Sequence, residues 1–235
     1  MRRQELMAKQ AQRRPAQPDS VRAAALSLLQ VYEDLAQRGA HLLGDLLHGQ
    51  PPRQWAHYPE DDARDPVGYQ WFYHSHSPED RPGAVEHGHI HLFARRPLWG
   101  RRLRSCAEAA FIELSGKRPA IDPPTRHLLT IGFNAKGLPT SLFAVNSWVT
   151  GDLMLNAGLT LDLLTHMRLD TGHAAIDKIL TSLVQLHQHE LLVLMAHRDE
   201  ALKRHKATDK LADERLEKLS ELHLDLDARL AEVLG

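Results

Sequence analysis

The segment Tyr69-Gln70-Trp71-Phe72-Tyr73-His74-Ser75-His76, followed by Ser77-Pro78-Glu79-Asp80-Arg81-Pro82-Gly83 and then Ala84-Val85-Glu86-His87-Gly88-His89-Ile90-His91-Leu92-Phe93, decides how this chain is read. Two aromatic-rich runs with period-two alternation flank a stretch of Pro, Gly, Asp and Ser, which is the pattern of a β-hairpin. Side chains alternate sides along a strand, so His74 and His76 share one face of the first run, and His87, His89 and His91 share one face of the second. The opposite faces carry Tyr69, Trp71 and Tyr73, and Gly88, Ile90 and Leu92. Pairing the bulky apolar sets with each other also pairs the histidine sets, whereas a slip of one residue would break both faces. Setting His76 against Val85 places His74 opposite His87, with Cβ atoms about 5 Å apart.

Imidazoles gathered in this way suit a metal. Neutral imidazole is a ligand for zinc, copper, iron and nickel, and three or four such groups complete a ligand set. His74, His76, His87, His89 and His91 therefore form the pool of candidate ligands, of which three or four bind. The alternative is a patch of solvated or backbone-bonded histidines, and it would have to hold at every one of these positions. Sixteen histidines in 235 residues is the compositional anomaly of the chain.

The net charge is −1, which gives no global bias toward nucleic acid or membrane. A lone cysteine, Cys106, excludes an intrachain disulfide framework and disfavours thiolate metal sites. No apolar run has the length of a membrane span, and the first residues show no signal-peptide core, so the expected location is cytoplasmic. Residues 1–18, with Arg2, Arg3, Lys9, Arg13 and Arg14 against Glu5, read as a mobile basic tail, and nucleic-acid binding is not the expectation. Residues 19–235 read as a single α+β domain.

In chain order, residues 19–47 carry a helical stripe of Val21, Ala24, Leu28, Val31 and Leu35. Residues 49–67 read as a Pro- and Asp-rich loop that brings His57 and Tyr58 to the histidine site as candidate catalytic groups, with Asp65 as a weaker candidate. Arg95 and Arg96 open an arginine-rich stretch suited to an anionic substrate or, equally, to a solvated turn and helix start. Leu103–Leu114 reads as a short inserted helix. A second hairpin, Arg126–Asn134 and Pro139–Val149, completes a sheet region spanning 69–149. His127, Asn146, Trp148, Tyr73 and Trp71 are placed beside the pocket, with Trp71 and Asn146 as candidate substrate contacts. Residues 152–235 read as helical: a short helix at Leu159–Leu169, a long one at Ala174–Lys206, and an amphipathic one at Thr208–Leu234. The last has a near-heptad pattern of Leu216, Leu219, Leu226 and Leu230 that suits a helical hairpin or a homodimer seam. His187 lies on the apolar stripe of the long helix and is a further candidate substrate contact. The expected fold is α+β: a small antiparallel sheet built from two hairpins, covered by helices, with a long C-terminal helical hairpin.

His87-Gly88-His89-Ile90-His91-Leu92-Phe93 resembles the His-x-His-x-His-x-x signature of the histidine-triad nucleotide hydrolases and transferases. That resemblance implies His89 as a nucleophile toward an α-phosphate. It covers seven residues, departs from the signature at Gly88, and leaves His74 and His76 without a role. His74-x-His76 followed by Glu79 is similar to part of a cupin metal motif, with a shorter spacing before the glutamate. The residues themselves point first to a non-haem metal-dependent oxidoreductase or oxygenase acting on a small organic substrate, with iron(II) or copper favoured over zinc. Nucleotide transfer at His89 and a metal-binding or partner protein without chemistry are the other two readings.

Overall fold

The computed structural model describes residues 18–44, 46–51, 53–76, 86–100 and 124–235. The basic tail, the inserted helix at 103–114 with Cys106, Glu79 and the connection between the two histidine runs lie outside the described residues. The fold is mixed α+β, with an open sheet of seven strands among the described residues and a C-terminal helix region. Its strands are β1 (Tyr58–Arg64), β2 (Tyr69–Ser75), β3 (Gly88–Arg95), β4 (Thr125–Phe133), β5 (Pro139–Val145), β6 (Leu153–Met154) and β7 (Lys218–His223). Their order is β1-β2-β3-β4-β5-β7, and the short β6 pairs in parallel with β4. The other pairings are antiparallel.

Both hairpins are present, with one change of register. His74 pairs with His89, Phe72 with His91 and Ser75 with Gly88. This is two residues from the expected pairing of His74 with His87. Because the strand period is two, a two-residue shift preserves which side chains share a face. The apolar face therefore survives intact. Trp71, Tyr73, Ile90, Leu92, Leu129, Ile131, Phe133 and Leu142 are fully buried in the main core together with helix residues such as Leu28, Leu35, Ile179 and Leu183. Burying each of these larger side chains is worth about 2–3 kcal/mol.

The helices on this core are α1 (Pro18–Gln37), α2 (Arg96–Trp99), α3 (Ser147–Thr150), α4 (Ala157–Thr165), α5 (Ala174–Leu186), α6 (Gln188–Arg204) and α7 (Leu226–Leu234). No helix among the described residues is long and apolar enough to cross a membrane. The first helix is shorter than the expected residues 19–47: it ends at Gln37, just past the last stripe residue Leu35, and Gly39 then takes φ +58°, a left-handed value that ends a helix. The second hairpin strand stops at Val145, because Asn146 caps α3 by accepting from Ser147 N at 2.9 Å. The long helix of residues 174–206 breaks at His187, whose φ of −113° lies outside the helical range.

Three strands depart from the sequence expectations. Leu153–Met154, at the start of the region expected to be helical, forms the short β6 by pairing in parallel with Arg126 and His127 of β4. Tyr58–Arg64, expected within a loop, forms the edge strand β1; its acidic residues and its irregularity between Tyr58 and Ala63 hide the alternation. Residues 208–234, expected as one amphipathic helix, contain β7 and then α7. Leu219 and Leu222 are three apart and so satisfy helical spacing as well. The free edge of β5 decides between the two, because its backbone groups pair along Ser141–His223 to Val145–Lys218. Leu219 and Leu230 are buried within the chain's own clusters, so this stripe packs inside the fold.

The sheet is fastened to the helices by polar contacts as well as by packing. Asp177 on α5 accepts from the Trp71 indole at 3.1 Å, from Thr171 N at 2.7 Å and from the Thr171 hydroxyl at 2.8 Å. Arg198 on α6, almost wholly buried, donates to the Leu155 carbonyl at 2.6 Å and to Asp199 at 2.6 Å. Replacing Asp177 with Ala leaves the buried indole N–H without an acceptor. The expected loss is about 2–4 kcal/mol in urea unfolding. A loss below about 1 kcal/mol would show that this carboxylate does not anchor the sheet.

Candidate metal centre

The face of the sheet opposite the main core is lined by histidines. From β2 it receives Phe72, His74 and then His76, from β3 His89, His91 and Phe93, and from the next strands His127, Thr130 and Phe143. His74, His76 and His89 converge: one ring nitrogen from each lies within 4.8 Å of the other two, and this group could hold a metal ion. Their ring centroids are 4.4 Å apart for His74 and His89, 4.9 Å for His76 and His89, and 5.1 Å for His74 and His76. His74 Nε2 and His89 Nε2 approach to 2.6 Å. Two such nitrogens need either a proton or a cation between them, because two facing lone pairs repel. An ion at about 2.1 Å from each nitrogen would hold them roughly 3.3 Å apart, which asks for a shift of less than 1 Å.

Glu86 was not singled out in the sequence as a site residue, and it is the group that orients this centre. Its Oε1 lies 2.8 Å from His89 Nδ1. A carboxylate only accepts, so His89 carries its proton on Nδ1 and turns the Nε2 lone pair toward His74. That is the arrangement by which carboxylates orient metal-binding histidines. Three residues apart on a strand, Glu86 and His89 would face opposite ways. They meet because β3 begins only at Gly88. Room for the carboxylate comes from Gly132, the β4 partner of His89: a Cβ there would lie 2.5 Å from Glu86 Oε2 and 2.5 Å from Ser141 Oγ.

Of the other expected ligands, His87 turns away, its Nδ1 2.8 Å from the Tyr73 hydroxyl. Burial holds the Tyr73 phenol up and the His87 imidazole down, so both stay neutral in this contact. His91 is fully buried beside the trio, with its ring centroid 4.7 Å from that of His89 and 5.1 Å from that of His74, but it is not one of the three. Its Nδ1 lies 3.1 Å from both His127 Nε2 and Thr130 Oγ1, while its Nε2 has no hydrogen-bond partner among the described residues. Leaving such an atom unmatched costs about 1–3 kcal/mol.

The expected catalytic pair separates. His57 stacks on Phe72 at 3.7 Å between centroids, 6.5 Å from the His74 ring, and its Nδ1 lies 3.1 Å from Asp62, which also accepts from Gln70 at 2.9 Å. Tyr58 instead accepts from Arg53 N at 2.8 Å and packs on the main core. Trp55, a lone aromatic in the Pro- and Asp-rich segment with no periodic signal around it, sets its ring edge-on to His74 and His76 at 6.1 and 5.5 Å and remains mostly exposed.

The expected substrate contacts are dispersed. Trp71 lies on the opposite face, bound to Asp177. Asn146 caps α3 and donates to the Lys210 carbonyl. Trp148 donates to the Leu216 carbonyl. Arg95 donates to the Asp65 carbonyl, and the Asp65 side chain closes the turn into β2 by accepting from Gly68 N and Tyr69 N. Arg96 lies over the Trp99 ring, and Arg126 lies over it more closely. His187 is buried at the α5–α6 junction, 3.9 Å from Glu190, which in turn faces Arg229.

Two outcomes follow from this geometry. Glu86→Gln and Gly132→Ala both disturb the Glu86–His89 contact without removing a candidate ligand, and each is expected to weaken metal binding about 10–100-fold in a competition titration; unchanged affinity would exclude the orienting role. The second concerns pH. Burial, with Arg198 nearby, pushes His127 down to about 3, and burial with the surrounding histidines holds His91 well below the ordinary imidazole range. The unfolded chain binds protons at these residues below about pH 6.5 while the folded chain does not. Their stabilisation is therefore complete above that pH and is lost as pH falls from about 6.5 toward 3, by up to about 1.4 kcal/mol per residue and pH unit. Thermal melts of the metal-free protein should show Tm falling between pH 7 and 5, with a shallower slope for His127→Gln; a flat wild-type profile would contradict the assignment.

No curated protein and no solved structure matches the chain. One family model does, over residues 22–224, a span that runs from α1 past β7 and includes every residue of the histidine centre. The chain belongs to the family described as a domain of unknown function (DUF6969).

Proposed function

We propose that the protein is a non-haem metal-dependent enzyme, an oxidoreductase or oxygenase acting on a small organic substrate, with His74, His76 and His89 as the protein ligands. The observation that carries this reading is the convergence of three ring nitrogens, one of them already oriented by Glu86. Three protein ligands with no thiolate among them match a catalytic site that keeps a position open, rather than a closed structural site. Iron(II) or copper is favoured over zinc on the character of the surroundings. The neighbouring rings of Phe72, Phe93 and Phe143 give an apolar setting for an organic molecule or O₂. The carboxylate beside the trio, Glu86, is engaged with the His89 imidazole, and Asp62, one step further out, with that of His57, which leaves less scope for the carboxylate base that hydrolytic zinc sites use. His57, held by Asp62, is the acid–base group of this reading.

The same geometry disfavours nucleotide transfer at His89. A nucleophile must present its lone pair to an incoming phosphorus atom, and His89 has one ring nitrogen on Glu86 and the other 2.6 Å from His74.

Elemental analysis of protein purified without an affinity tag tests the proposal. About one equivalent of iron or copper per chain is expected, falling below about a tenth of an equivalent in His89→Ala and His74→Ala. One equivalent of zinc would retain the centre and remove the redox chemistry. Failure to bind any of the three metals in equilibrium dialysis would remove the centre itself.

A further inference from the structure

We infer that His91 is a binding residue for a small exogenous ligand held at the open position of the histidine trio, which it meets through Nε2, while Thr130 and His127 fix its ring from behind. This rests on the metal reading above. The ring is 0% exposed, and its Nδ1 side is occupied by Thr130 Oγ1 and His127 Nε2, each at 3.1 Å. Thr130 Oγ1 and His127 Nε2 are themselves 3.1 Å apart, so these three groups form a closed polar triangle.

Either tautomer leaves Nε2 in need of a partner. If Nδ1 carries the proton and donates into the triangle, Nε2 is a buried acceptor; if Nδ1 accepts from the Thr130 hydroxyl, Nε2–H is a buried donor. The aromatic rings around it, Phe72 at 5.2 Å and Phe93 at 6.1 Å between centroids, supply no conventional hydrogen-bond partner. His91 is not one of the three converging histidines although its ring centroid lies 4.7 Å from that of His89 and 5.1 Å from that of His74. With its Nδ1 side taken, its Nε2 unmatched and its ring beside the trio, His91 is suited to meet what an ion there would hold rather than the ion itself. The ligand class that fits is a small molecule with two neighbouring donor atoms, one for the metal and one for His91.

The test uses the full-length protein loaded with cobalt(II), whose visible spectrum reports both metal binding and the arrival of a further ligand, and azide as the probe. Wild type is compared with His91→Phe and Thr130→Val. Cobalt affinity is expected to stay within about threefold of wild type in both variants. Azide affinity should fall about tenfold or more in His91→Phe, the worth of one hydrogen bond, and about threefold or more in Thr130→Val, where the ring loses one of its two supports. A tenfold loss of cobalt affinity in His91→Phe would make His91 a ligand and overturn the proposal. Azide affinity unchanged in His91→Phe would overturn it equally, and if that variant does not fold, unchanged azide affinity in Thr130→Val does so. Wild-type protein that binds no cobalt would instead remove the metal centre on which the proposal stands, a result separable from the others because it appears before azide is added.

Discussion

The antiparallel pairing of β2 with β3 is the constraint on which the rest of the molecule depends. It sets Trp71 against Leu92 and Tyr73 against Ile90 on one face, and His74 against His89 on the other. The apolar pairs are fully buried under α1 and α5, so a one-residue slip would carry indole, phenol and aliphatic groups out of the core. Hydrophobic packing on one side of the sheet thereby brings together, on the other, imidazoles that could hold one ion. The strength of the centre is borrowed from a core that contains none of its atoms.

His89 is the residue where these constraints meet. It faces His74 on one neighbouring strand and Gly132 on the other, and the missing side chain of Gly132 makes room for Glu86. A carboxylate on Nδ1 defines which nitrogen offers a lone pair. Deeper along the same face, His91, Thr130 and His127 form a polar layer kept neutral by burial. Neutrality suits this place, since a charged imidazole here would oppose a cation held by the neighbouring rings.

The mouth of the centre is built by different means. Trp55 and His57 come from the segment leading into β1, an edge strand paired irregularly with β2. His57 is placed by stacking on Phe72 and by Asp62, and Trp55 by edge contact with His74 and His76. Both residues are more exposed than the histidines they border. The trio thus lies on central strands while its exposed neighbours come from a connection, the part of a fold that often carries binding groups.

Period-two alternation in residues 69–76 and 86–93 was enough to determine, from sequence alone, that two strands pair and that apolar and imidazole side chains part to opposite faces; with the helical stripes of residues 19–47 and 174–206 it gave the α+β class. Those properties depend on side-chain period, which is local. The identity of the converging trio was decided by tertiary structure: a register shift of two residues keeps every face and so leaves no trace in the pattern, yet it replaces His87 by His89 opposite His74. The same holds for Glu86, whose role needs the empty space above Gly132 some forty residues later, and for Lys218–His223, where leucine spacing allowed a helix and the unpaired edge of β5 imposed a strand. Local period names the elements, but the partner across each hydrogen-bonded ladder exists only once the chain has folded, and that partner decides which of the histidines converge.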